Sequence, residues 1–155
     1  SDPAVSGQVI ATLTLVGGVT ALLFGRIRTC LGAAITPAAG YTAMAVGFFV
    51  FQAGSSVPAV MLGGAVVGLG VGLVMPNFAT LALQAAPAER RGIAGGVLTT
   101  AIFLGQFLSP VISQPVLGLV GFPKLFGIVA LAFIGLSLLT WSVLRFAFDG
   151  RAARA

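Results

Sequence analysis

Very few side chains in this sequence are equipped for acid–base, nucleophilic or metal chemistry. The carboxylates are Asp2, Glu89 and Asp149, the single thiol is Cys30, and there is no histidine. Paired-carboxylate catalysis, a histidine-based triad and a zinc site therefore lack their parts, and one cysteine rules out an internal disulfide. No cofactor, metal site or catalytic residue is expected. The polar side chains that remain are amides and hydroxyls set inside apolar runs. Gln106 lies near the middle of one such run, where an unpaired amide costs several kcal/mol. Thr99, Phe103, Gln106 and Pro110 share one helical face, with Phe107 beside it. An amide next to aromatic rings suits an amphipathic ligand, because the rings supply apolar area and the amide fixes orientation. In an earlier run Asn77, Thr80 and Gln84 cluster at 100° per residue, and Pro76 just before them should kink the helix or free a carbonyl. Gln8 and Thr12 form a third, slighter pair. Gln106, Phe103, Thr99, Asn77, Thr80 and Gln8 are the candidate ligand contacts.

The elements that must hold these residues are membrane spans. The chain is 58% hydrophobic and 7% charged, against about 25% charged in soluble domains. Between Thr29 and Ala88 only Cys30 and Tyr41 are ionisable. A hydrocarbon layer about 30 Å thick takes about 20 apolar residues to cross as a helix. Five spans are expected, at about residues 5–24, 31–51, 59–85, 93–119 and 125–144. The fold class is thus an all-α polytopic transmembrane bundle. Gln52 to Pro58 and Gly121-Phe122-Pro123 carry turn-forming residues, and Pro87 stops the third span.

The charges fall between the runs. Arg26 and Arg28 follow the first span, Glu89, Arg90 and Arg91 the third, and Arg145, Arg151 and Arg154 the fifth, while Lys124 stands alone on the opposite side. Positive residues mark cytoplasmic loops, which places the N-terminus outside and the C-terminus in the cytoplasm. Tyr41 and Trp141 are candidate interfacial anchors. The net charge of +5 is explained by this sidedness, and no contiguous cationic surface suited to nucleic acid is present. The start Ser1-Asp2-Pro3, without an initiator Met or a charged segment before an apolar core, reads as a piece of a longer protein rather than a signal peptide.

Gly64, Gly68 and Gly72 recur every four residues in the third span, a spacing that lets another helix approach closely. A dinucleotide loop at Gly68 to Gly72 is excluded, since no strand precedes it and no acidic residue follows. Ala101, Gly105 and Ser109 form a second small-residue ladder in the fourth span. Gly64, Gly68, Gly72 and Gly105 are the expected packing glycines.

Gly68-Leu69-Gly70-Val71-Gly72-Leu73-Val74-Met75-Pro76-Asn77, followed by Ala86-Pro87-Ala88-Glu89-Arg90-Arg91-Gly92, resembles the tenth span and the next cytoplasmic loop of major facilitator superfamily transporters. Ile93-Ala94-Gly95-Gly96 through Phe103-Leu104-Gly105-Gln106-Phe107-Leu108-Ser109-Pro110 is similar to the eleventh span. Leu23-Phe24-Gly25-Arg26-Ile27-Arg28 to Leu31-Gly32 resembles the glycine- and arginine-rich turn between the eighth and ninth. The resemblance implies that the chain is spans eight to twelve of a twelve-span fold, with Arg26, Arg28, Glu89, Arg90 and Arg91 in cytoplasmic gate or loop positions.

It further implies a proton-coupled secondary transporter of the inner membrane that exports drugs or other amphipathic molecules. The implied partners are a small-molecule substrate, membrane lipid and the other half of the same protein, with spans eight, ten and eleven lining the cavity. The loop signature lacks its aspartate here. Gly105 to Pro110 has the spacing of the antiporter motif of the fifth span, with Ser109 in place of a glycine. Import of sugars or metabolites, and a non-transporting membrane subunit or sensor, are the rival readings.

Overall fold

In the computed structural model the described residues are 3–54 and 56–152, with side chains described to residue 146. Asp2 and Arg154, and the side chains of Asp149 and Arg151, lie outside the described residues. The order is α1 (Pro3–Leu31), α2 (Ile35–Ala53), α3 (Val57–Ala85), a 3-10 turn (Ala88–Arg90) and α4 (Arg91–Ala152). Every one of the four helices is long and apolar enough to cross a membrane by length and composition. At 62 residues α4 would extend roughly 90 Å if straight, three times the thickness of a bilayer core. It is two helices joined at Gly121, where φ is 77° and ψ 168°. That backbone conformation is essentially reserved for glycine, so the change of direction is written into this one residue.

The first helix runs seven residues past the expected end of its span, so Arg26 and Arg28 lie in its last turns and not in a loop. Nothing between Gly25 and Leu31 breaks a helix, and basic side chains suit a helix C-terminus. The stop comes at Gly32, in the left-handed region at φ 84°, whose N–H donates to the Arg28 carbonyl at 2.8 Å. Hydroxyls inside the spans turn back on their own helix: Thr12 donates to the Gln8 carbonyl and Thr20 to the Val16 carbonyl, both at 2.8 Å. No water is needed to satisfy them, as lipid burial demands.

The third helix is the centre of the bundle and uses two glycine faces. Gly64, Gly68 and Gly72 meet α1. A Cβ on Gly72 would stand 2.5 Å from the Gly17 carbonyl oxygen, and one on Gly68 would overlap the backbone carbonyl of Leu13. The pairs Val9–Gly64, Leu13–Gly68 and Thr20–Gly72 advance together, so α1 and α3 run parallel. The other face, Gly63, Val67, Gly70 and Val74, meets α2. A Cβ on Gly47 would come within 2.5 Å of Val67 Cγ2, and one on Gly40 within 2.6 Å of Val74 Cγ2. Here the numbers run in opposite senses, so α2 is antiparallel to α3.

The second arm of α4 lies along α2 through an aromatic seam. Tyr41 stacks on Phe133 at 6.0 Å, Phe48 contacts Phe133 at 5.5 Å and Phe126 at 6.1 Å, and Phe51 contacts Phe126 at 5.6 Å. Near its far end Ser137 Oγ donates to the Ala38 carbonyl at 2.8 Å and lies 2.9 Å from Thr42 Oγ1. Ser137 is buried while Thr42 is open to the outside of the bundle, and the pair of contacts fixes the register of the two helices. The first arm of α4 is different. None of its residues from 91 to 120 is buried and most are exposed, among them Ile93, Val97, Phe107 and Ile112, and it faces α3 at Met75.

Gly105 departs from the expectation of a packing glycine. Nothing stands within 4 Å of the position a Cβ would take there. Small residues at Ala101, Gly105 and Ser109 leave space beside α3 instead of bringing two backbones together.

Candidate functional site

That space is a groove of about 490 Å³ between Met75 on α3 and Ala101, Ile102, Gly105, Gln106, Ser109 and Pro110 on the first arm of α4. It is open along one side, so this chain by itself would cover one side of a ligand and not enclose it. The i, i+4, i+8 spacing of Ala101, Gly105 and Ser109 puts the three smallest side chains on one face, and that face is turned to Met75. No ionisable side chain lines the groove. Its polar groups are the Gln106 amide and the Ser109 hydroxyl, so it can orient a ligand by neutral hydrogen bonds while Met75 and Ile102 supply adaptable apolar contact.

The sequence-derived candidates separate in space. Gln106 is in the groove but exposed, whereas its position mid-span had pointed to deep burial. The difference arises because no residue of the first arm of α4 is buried in this bundle. Phe103 is 64% exposed and, with Thr99, lies outside the groove lining, on the adjoining face of the arm. Gln8 is exposed on α1. Thr80 is half-buried and donates its hydroxyl proton to the Pro76 carbonyl at 2.7 Å.

Asn77 is the most buried polar side chain of the candidates, at 0% exposure. It continues the α2-facing row of α3, turned away from the groove that Met75 lines two residues earlier. Met75 and Ser109 were absent from the sequence-derived set. The readable signal was that Met75 directly precedes Pro76 and that Ser109 belongs to the small-residue ladder.

Arg26, Arg28, Arg90, Arg91 and Arg145 gather at one end of the bundle. α1 and α3 run parallel and finish there, the first arm of α4 starts there, and the second arm returns there antiparallel to α2. The Arg28 guanidinium carbon lies 6.0 Å from the Phe24 ring centroid, and that of Arg145 lies 5.2 Å from the Trp141 ring centroid. Both are long cations laid along aromatic faces, with their aliphatic stems on the helix surface. Glu89 and Arg90 belong to the 3-10 turn, where the Arg90 N–H donates to the Pro87 carbonyl at 2.9 Å.

Comparison with known proteins places these elements in context. The sequence pattern of the Major Facilitator Superfamily matches residues 1–152. The chain is also similar to the multidrug resistance protein Stp of Mycobacterium tuberculosis, in strains CDC 1551 / Oshkosh and ATCC 25618 / H37Rv. In both, the identity is 28% over 106 residues, covering 67% of this chain and 20% of the relative. The match thus spans about a fifth of the length of these curated relatives. No solved structure matches the chain.

Proposed function

The chain belongs to the Major Facilitator Superfamily, and from that membership we propose that it supplies spans eight to twelve of a secondary transporter exporting small amphipathic molecules in exchange for protons. It is an integral membrane protein, and the proposed setting is the inner membrane. The observation that carries the transporter reading is the family match along residues 1–152. The multidrug relative favours efflux over import. The groove supports a substrate contact in this part of the protein, made by Gln106 and Ser109 against Met75. Alternating access then rocks this bundle against the remaining helices around a midplane site. No carboxylate lies in the apolar segments of this chain, so the proton carriers belong to other helices of the transporter.

Cells producing the whole transporter should extrude an amphipathic dye, and a protonophore should abolish the extrusion. Uptake of a sugar or metabolite in place of dye extrusion would move the reading to import. A chain with neither activity would be a non-transporting subunit.

Sidedness is testable separately. The proposed orientation puts the arginine-bearing end in the cytoplasm. In a protein without other cysteines, with Cys30 replaced by Ser, a cysteine at Ser56 should react with an impermeant thiol reagent applied outside, and one at Ala88 should not. The opposite pattern would invert the bundle and the span numbering with it.

A further inference from the structure

Asn77 has no exposed surface, and neither Nδ2 nor Oδ1 has a hydrogen-bond partner among the described residues. The row it extends, Gly63, Val67, Gly70 and Val74, is otherwise apolar and fitted closely against Gly40, Met44 and Gly47 of α2. By the antiparallel register, Asn77 reaches the level of Thr36 and Pro37, which are also fully buried. The hydroxyls near that level are engaged elsewhere: Thr36 Oγ1 donates to the Gly32 carbonyl and Thr80 Oγ1 to the Pro76 carbonyl, both at 2.7 Å. A buried amide left without partners disfavours the arrangement that contains it.

A second feature meets it at the same point. Pro76 has no N–H for the Gly72 carbonyl, so α3 can bend there without losing a backbone hydrogen bond. The helix also changes character at this point. Before Pro76 it is buried on both glycine faces, whereas residues 78–82 are half-buried and 83–85 exposed.

We propose that Pro76–Asn77 is a hinge in α3, at which the Asn77 amide is unpaired in the arrangement described here and becomes hydrogen-bonded when residues 77–85 swing out of the α2 seam. The amide acts as a built-in bias against this closed packing. Met75 lines the groove and sits directly before the hinge, so movement of the arginine-bearing end of α3 alters the groove's wall. The inference rests on the transporter reading for its functional meaning only.

The test uses the whole transporter in nanodiscs, in a background whose one cysteine replaces Ala82, and reads its thermal midpoint and its rate of thiol labelling. Asn77→Leu, close to the amide in shape, should raise the midpoint and slow labelling by roughly tenfold, the order of factor one unsatisfied buried group is worth. A lowered midpoint with unchanged or faster labelling would show that the amide is satisfied in place, and would overturn the hinge. Should Asn77→Leu not be recovered folded, Pro76→Ala decides: restoring the N–H should slow labelling, and an unchanged rate overturns the proposal. Neither readout needs a substrate, so failure here and failure of the transport reading remain distinguishable.

Discussion

Gly68→Leu should abolish recovery of folded protein or lower its thermal midpoint severely, because the added side chain has no room to occupy. Even the first carbon of a side chain at Gly68 overlaps the Leu13 backbone carbonyl of α1. A flexible neighbour could move aside, but a helical carbonyl cannot shift without breaking its own hydrogen bond. Overpacking against side chains typically costs about 1–3 kcal/mol, and a backbone obstacle places this variant at or above the upper end. Lipid offers no compensation, since close van der Waals contact between helices is itself what drives their association. Gly18→Leu is the control on the facing helix: nothing stands within 4 Å of its Cβ position. Folded yield and thermal midpoint of the two variants, measured in the whole protein, should differ sharply. Wild-type behaviour of Gly68→Leu would mean that the α1–α3 contact is not part of the fold.

The α1-facing ladder was legible because its signal is local: Gly64, Gly68 and Gly72 share a face whatever surrounds them. The α2-facing row was harder to read. Val67 and Val74 stand between its glycines and look like ordinary apolar filling of a span. The end of α1 is hidden in the sequence because Arg26 and Arg28 read as a loop, while the chain continues as a helix until Gly32 offers a left-handed stop. Ala101, Gly105 and Ser109 show a deeper ambiguity. Small side chains at four-residue spacing permit either close approach or open space, and only the position of the neighbouring helix selects between them. The same holds for Gln106 and Asn77. Both are amides in the middle of apolar runs, yet one is exposed beside a groove and the other is sealed under α2. Periodicity fixes which residues share a face, but the partner of that face is set by contacts distant in sequence.

Gln106→Ala should change substrate recognition far more than stability. Its side chain is exposed in the groove and makes no hydrogen bond to another helix among the described residues, so truncation leaves no buried partner stranded. What is lost is an amide able to orient a ligand against Met75 and Ile102. Where a site hydrogen-bonds its ligand, removing that group weakens the ligands that use it by about 1–3 kcal/mol and spares those that do not. In the proposed transporter the groove between α3 and the first arm of α4 meets the transported molecule. This contact is tested most directly by measuring the whole transporter's export of several amphipathic compounds, with Gln106 and with Ala, each normalised to folded protein. The expected result is a changed order of preference among compounds at an unchanged thermal midpoint. A uniform loss across all compounds that tracks a lowered midpoint would contradict it, and would make Gln106 a structural residue.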